Sequence, residues 1–316
     1  MRLPRLLTQP LLRLVDFPQY TIVGAHAPQN SVDIWLMNDG LRQSVTTNCV
    51  VAALRPLTFA LANVSAQPAR LSFTDRATGA VLGTIALRAE RTIEVGSTAL
   101  RLFTASGSAH FSLPWARFQA YSLFERWRTH RQQRTSRHNF RLTHRDLLAL
   151  LAFYICPRPV VLVTVAQDQR VNMFPMDLIG PTDSPWFSLA LRSTSPSVQT
   201  IRDTGRIALA DIPVSYASIA YALGRHHALP HIDLATLPFT TTPTPRFGLP
   251  VTTAALRTRE FEIAHVHEVG SHTLFLATVV SDSTPAAGAD ASGLHSALHH
   301  VSGLSLARRQ VTDRVS

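Results

Sequence analysis

Between about residue 20 and residue 112 the apolar positions fall in short β-favouring runs, "LTFALANV", "ARLSF", "AVLGTIAL", "TIEV" and "LRLFTA". Thr78-Gly79, lying between two of these runs, reads as a hairpin turn. From Pro114 the period changes. Trp115, Phe118, Tyr121, Phe124 and Trp127 recur at helical spacing, and Pro114 suits a first helical turn. Thr143 then predicts an N-cap for a helix through "HRDLLALLAFYI", whose Asp146 falls in the first turn, where the helix dipole favours a carboxylate.

Beyond that helix the pattern returns to strands. "VVLVTV" and "RVNMF" flank the turn "AQDQR", and "PWFSLALR" makes a third strand. Ser195-Pro196 predicts a helix start, with Ser195 as its cap, and Gly205 predicts its end. "RIALADI" is a fourth strand, and "SYASIAYAL" a short helix ended at Gly224. "ALRTREFEIAHVH" and "HTLFLATVVSDS" form a hairpin across "EVGS". Antiparallel strands with two interposed helices and no GxGxxG predict a mainly β fold with some α, a small barrel rather than a dinucleotide-binding sheet. The expected division is a β-rich unit of unassigned role over residues 1–112, a basic helical linker over 113–145 and a barrel over 146–316.

Composition sharpens this picture in three ways. The net charge is +10 and the chain contains no lysine, so an anion must be held by Arg, His or backbone N–H groups. Seven arginines against one acid lie between Glu125 and Arg145, a density that would suit nucleic acid or an anionic membrane surface; without accompanying stacking aromatics it reads as a solvated linker. The first 18 residues hold no continuous apolar run, and no stretch is long and apolar enough for a membrane span. Together with only two cysteines, Cys49 and Cys156, this predicts a reducing, cytoplasmic setting without membrane insertion.

In order along the chain, "PRPVVLVTV", "VNMFPMDLIGP", "PWFSLALR", "SPSVQTIRDTGRIAL" and "SHTLFLATVV" resemble the flavin reductase-like family, the FMN-binding split barrels that include flavoredoxin, over residues of about 150 to 305. The resemblance implies a C-terminal split β-barrel that binds FMN, a flavin lying at a homodimer interface, and NAD(P)H as co-substrate. The family's lysine and threonine positions fall on Ser195 and Ser197, where the helix start offers N–H groups to a phosphate. With no lysine present, that grip passes to Arg158, clamped between two prolines, or to Arg192. The family's asparagine falls on Asn172, which can donate to and accept from the flavin's pyrimidine edge. Asp177 takes a place often held by serine, and either accepts from a flavin N–H or caps a turn. His272 matches the histidine of the family's "HTLF" segment, and His299 or His300 would stand in its closing strand.

In "GRHHALPHID", His226, His227, His231 and Asp233 cluster after Gly224. Without a second group of firm spacing they predict no metal, and His226 and His227 are candidates for a lid over the flavin. No catalytic acid or base is assigned, because the cofactor carries the redox chemistry. The implied activity is hydride transfer from NAD(P)H to flavin and on to an acceptor that the sequence does not name. The alternatives are a flavin electron carrier without NAD(P)H activity, and a nucleic-acid or membrane adaptor working through the arginine-rich linker; no nucleic acid is expected as a partner. Finally, "QSVTTNCVVAALRPLTFALAN" echoes "QRVNMFPMDLIGPTDSPWFSLALR". If the echo is a repeat, the N-terminal half is a degenerate second barrel; one short echo leaves that question open.

Overall fold

The computed structural model describes residues 20–24, 31–135 apart from 39, 66 and 68, 142–284 and 293–298. The first 18 residues, the 136–141 part of the basic linker, and His299 and His300 lie outside the described residues. Strand β1 (Tyr20–Gly24) is followed by β2 (Val32–Asn38), β3 (Leu41–Ser44), β4 (Val50–Leu54), β5 (Leu57–Ala62), β6 (Ala69–Asp75), β7 (Val81–Val95) and β8 (Thr98–His110). Helices α1 (Trp115–Thr135) and α2 (His144–Phe153) lead to β9 (Arg158–Pro159), β10 (Val161–Gln167), β11 (Arg170–Met176), β12 (Ile179–Asp183) and β13 (Trp186–Arg192). Then come α3 (Ser197–Thr204), β14 (Arg206–Asp211), α4 (Ala217–Leu223), the short pair β15 (Thr241–Pro243) and β16 (Pro250–Thr252), the long hairpin β17 (Arg257–Val269) and β18 (His272–Ser283), and β19 (Leu294–Leu298). The fold is mainly β with a few helices, as the hydrophobic pattern predicts. No described helix is long and apolar enough to cross a membrane.

Two seven-stranded antiparallel sheets dominate. The N-terminal one runs β3-β2-β6-β7-β8-β5-β4, the C-terminal one β11-β10-β14-β17-β18-β13-β12. Taken in chain order, strand for strand, these are the same topology. The agreement extends to irregularities. The edge hairpins β4–β5 and β12–β13 each carry a bulge, at Val51/Ala53 and at Pro181/Asp183. The long hairpins share the turn sequence Glu-Val-Gly-Ser, at 94–97 and 268–271. Upstream of it, bulges at Ala86/Leu87 and Ala89/Arg91 in β7 match bulges at Glu260/Phe261 and Ile263/His265 in β17, each at the same distance from its turn. The β-rich N-terminal half is therefore a second copy of the C-terminal architecture, although the strand registers do not align the residues of the sequence echo.

The copies differ in their connections. Between β13 and β14 the chain makes α3, whose Gly205 ends it at φ 64°, a left-handed conformation that suits glycine; between β5 and β6 it makes no helix. Between β14 and β17 it inserts residues 212–256, whereas β6 and β7 are joined by residues 76–80 alone. In the C-terminal half one core gathers side chains from all seven strands, including Val163, Phe174, Ile179, Leu189, Leu209, Phe261 and Phe275. The sheet thus curls into a barrel that stays open between its edge strands β11 and β12.

A single apolar cluster joins the halves. It runs from Ile34, Phe59, Phe73 and Phe103 of the N-terminal sheet into Leu178, Ala190, Leu274 and Leu276 of the C-terminal one. Helix α2 is capped by Thr143, whose hydroxyl accepts the Asp146 N–H as the sequence predicts. Though next to the C-terminal barrel in sequence, α2 packs on the N-terminal sheet. Phe153 lies 5.5 Å from Phe59 between ring centres, and the Asp146 carboxylate accepts the Leu57 N–H at 3.0 Å. At the seam each hairpin turn meets the opposite half: a Cβ on Gly96 would lie 3.6 Å from the Trp186 ring, and Gly270 lies against the Arg55 carbonyl.

Two predictions follow from these contacts. Gly96 and Gly270 both hold positive φ, of 59° and 52°, but a Cβ on Gly270 would also strike the Arg55 carbonyl. Gly270→Ala should cost about 3 kcal/mol in urea unfolding, against about 1 kcal/mol for Gly96→Ala; equal losses would contradict the seam as described. The second concerns His110, whose Nε2–H donates to the Leu148 carbonyl at 2.9 Å while the ring stacks on Phe118 at 4.3 Å. Burial pushes its imidazole down to about 4. The fold holds it neutral, so its contribution is complete above the ordinary histidine value of about 6.5 and is lost as pH falls through about 4. His110→Gln should flatten the decline in unfolding free energy across that window.

Candidate functional site

Arg192 ends β13 and His272 begins β18, and the two are direct cross-strand partners. Residues 193–196 then turn the chain into α3, so this strand end and the helix start share one corner. His272 is buried. Burial first, then the charges of Arg192 and His227 beside it, push its imidazole down to about 4, so it is neutral at pH 7. Its Nδ1 lies 2.9 Å from Ser271 Oγ and makes a longer 3.5 Å contact with the Leu54 N–H. Ser271 Oγ accepts the Arg55 N–H at 3.1 Å, which leaves its own proton for His272. Nδ1 is thus an acceptor and the ring proton sits on Nε2. The tautomer is set by the β4–β5 turn of the other half.

His227 stands on the other side. Its Nε2–H donates to the Pro175 carbonyl at 2.7 Å, and its ring tilts on Phe174 at 4.7 Å. Burial lowers its pKa, and the nearby Arg192 charge adds to that, against the opposing pull of the Pro175 bond and Asp177. Burial also lowers the Arg192 pKa, though a guanidinium stays charged at any physiological pH.

The turn over residues 224–229 is strapped across the head of α3. Ser195 Oγ donates to the His227 carbonyl at 2.8 Å, and α3 has no side-chain cap. The expected capping role is thus corrected: the hydroxyl is drawn to a closer carbonyl. Asn172 Nδ2 lies 3.0 Å from Ser197 Oγ, 3.0 Å from the His226 carbonyl and 2.8 Å from the Leu229 carbonyl. Flipping the amide would set its oxygen against two carbonyls, so the assignment is secure. Asn172 Oδ1 is buried without a hydrogen-bond partner among the described residues. His226 Nδ1–H donates to the Met173 carbonyl at 2.9 Å. The two candidate lid histidines therefore pin this turn to β11.

Next to His227 lies an apolar cleft of about 440 Å³, lined by Val160, Pro175, Met176, Asp177, Ala220, Tyr221 and Gly224. Its acidic group, Asp177, accepts hydroxyl bonds from Tyr154 and Ser296, both at 2.8 Å. A larger groove of about 1120 Å³ crosses the N-terminal sheet, but its lining is mostly small residues with Arg70 the one charge. The smaller cleft borders His227 through Pro175, which lines it and accepts the His227 Nε2–H.

Asn172, Arg192, Ser195, Ser197, His226, His227 and His272 are thus brought together, with Asp177 at the cleft beside them. Arg158 is placed elsewhere. Its guanidinium is buried beneath the Phe153 ring at 4.9 Å, and donates weakly to the Ile179 carbonyl at 3.4 Å. It neighbours Cys49 and Cys156, whose thiols burial pushes up to about 12 and about 11, which leaves them protonated and inert. Arg158 thus lies at the seam, against Phe153 and Gly180, rather than toward α3. Sequence reasoning did not find Leu54, Arg55 and Ser271, which orient His272; the repeated Glu-Val-Gly-Ser turn was the available signal.

Comparison with known proteins now bears on this geometry. Similar solved structures include an NADH:FAD oxidoreductase of Streptomyces globisporus, 18% identical, covering 50% of this chain and 93% of its own with a TM-score of 0.43. An FMN-binding protein from Thermus thermophilus with bound p-hydroxybenzaldehyde is 22% identical, covering 40% and 72% with a TM-score of 0.37. The styrene monooxygenase flavin reductase of Pseudomonas putida is 20% identical, covering 44% and 87% with a TM-score of 0.37. No curated protein matches the chain. The family described as "Flavin reductase like domain" matches residues 153–303, a span that takes in the C-terminal barrel, α3 and the strapped turn. Over that span the chain is similar to a flavin reductase like domain.

Proposed function

We propose that the C-terminal half binds flavin mononucleotide and works as an oxidoreductase that takes hydride from NAD(P)H. The reading is carried by one observation: Arg192 and His272 pair at the strand end that leads into α3, near Ser197 and His227, and an apolar cleft of about 440 Å³ borders His227 through Pro175. Arg192, His272 and the Ser197 hydroxyl fit the group as donors, while Ser195 and His227 give their protons to the carbonyls that hold the turn. A phosphorylated ring system needs donors at one end and an apolar slot at the other, and cleft volumes of a few hundred Å³ are usual for such ligands. A bound flavin supplies two-electron acceptance from a nicotinamide, which no side chain here provides.

The chain's own residues do the rest. Arg192 offers a planar fork to a phosphate, and the start of α3 adds its dipole. His272, held neutral with its proton on Nε2, donates a hydrogen bond without adding charge. Asp177 offers an acceptor at the cleft, and Val160 and Met176 give it apolar walls. Asn172 acts here as a brace for the 224–229 turn, since its amide N–H groups are already turned to Ser197 and to the carbonyls of that turn.

Titrating the purified protein with FMN and FAD, and following the visible spectrum and flavin fluorescence, tests the reading. Saturable quenching is expected with FMN, followed by bleaching on addition of NADH or NADPH. Absence of quenching by either flavin would refute it, and bleaching by dithionite alone would refute the nicotinamide step. Arg192→Ala should weaken FMN binding at least about tenfold with the fold intact, as expected for a lost charge-assisted contact. Asn172→Ala leaves buried carbonyls without donors and should cost about 1–3 kcal/mol in unfolding free energy, with faster backbone exchange over 224–229.

A further inference from the structure

We infer that the N-terminal half is a built-in partner subunit, so that the chain works as a monomer with one flavin site, in place of the homodimer that the family resemblance implies. The claim about the site rests on the flavin reading above; the claim about pairing does not. The two seven-stranded sheets share one topology, matched bulges and a common turn sequence. They meet through the reciprocal contacts of two like subunits: the β17–β18 turn on Arg55, the β7–β8 turn on Trp186. The Ser271 N–H donates to the Arg55 carbonyl at 2.9 Å, and Asn63 Nδ2 donates to the Asp183 carboxylate at 2.6 Å. Residues of both halves enter one apolar cluster. The face on which a second copy would seat is already covered.

The pairing leaves two corners related by the repeat, and only one keeps anion-binding chemistry. Counting from the shared turn, Thr98 stands where His272 does. Carrying the β5–β8 register one residue beyond Asn63 puts Val64 where Arg192 stands. No helix follows β5, and the opposite half contributes the Asp183 carboxylate there. At the working corner the opposite half contributes the Leu54 and Arg55 N–H groups, which fix the His272 tautomer through Ser271. The N-terminal half thus completes one site and has lost its own.

Light scattering on the full chain across a wide concentration range, joined to FMN titration by fluorescence, is the test. A mass of one chain, 34.7 kDa, with one FMN per chain at every concentration is the expected result. A dimer whose dissociation abolishes FMN binding, or two FMN per chain, would overturn the inference. If no flavin binds, the functional reading fails, while the mass alone still decides the pairing. Ser271→Ala, which cuts the link from Arg55 to His272, should weaken FMN binding by about fivefold, the effect of one hydrogen bond, without altering the mass. Unchanged affinity would show that the N-terminal half sets nothing in the site.

Discussion

The contact on which the rest of the structure depends is the one between the β4–β5 turn and the β17–β18 hairpin. At Gly270 backbone meets backbone: the Arg55 carbonyl accepts the Ser271 N–H, and no side chain fits at Gly270 to separate them. Such a contact has little tolerance, because the hydrogen bond sets its spacing and a side chain at Gly270 would strike the Arg55 carbonyl. It also fixes the depth at which the halves engage. That depth places Leu54 and Arg55 over His272, and so decides the orientation of a ring in a site belonging mainly to the other half.

Once the seam is held, the halves are free to diverge away from it. The N-terminal sheet keeps its strands, its bulges and its core of Phe59, Phe73 and Phe103. It lacks the helix and the long insertion that make the C-terminal corner chemically useful. Helix α2 shows how deeply the halves are interlocked. It follows the N-terminal copy, precedes the C-terminal one, and spends its apolar face on the former. Its last residues turn back: Tyr154 reaches Asp177, and Phe153 covers Arg158. The result is one cooperative body in which the covalent link replaces the association cost two separate subunits would bear.

Most of the fold was legible in the hydrophobic pattern, because strands with one buried face and capped helices announce themselves locally. Thr143, Gly205 and the "EVGS" turn are such local signals, and each marks the element boundary its chemistry implies. The duplication was only half legible. The side chains of the two copies barely agree, since the repeat preserves the pleat and the bulges, and any apolar residue satisfies an inward position. The candidate site divides the same way. Ser195, Ser197, Asn172, Arg192 and His272, singled out by the family resemblance and the missing lysine, lie close together in the structure. Arg158 was placed by the same reasoning, yet whether an arginine faces a helix start or a seam depends on a neighbour, Phe153, that approaches through tertiary packing. Arg55 and Ser271 act through backbone groups and one hydroxyl, and nothing in residue type marks such a role.

The absence of lysine gives the site a particular logic. An ammonium is a flexible point charge that can follow an anion over several ångströms, whereas a guanidinium binds best when its plane is already aimed. A site that relies on Arg192 therefore needs fixed surroundings, and the structure supplies them: a strand pairing beneath it, His272 locked by the other half, and a turn strapped down by Asn172 and Ser195. Neutral histidines contribute N–H dipoles whose direction is set by their backbone partners, so their value too depends on rigidity rather than on charge. The same reasoning explains why the second half is retained. A lone barrel could present Arg192 and His272, but with the β4–β5 turn missing the imidazole would be free to change tautomer and the corner would open to water. In this chain, the orientation of His272 is a property of the seam.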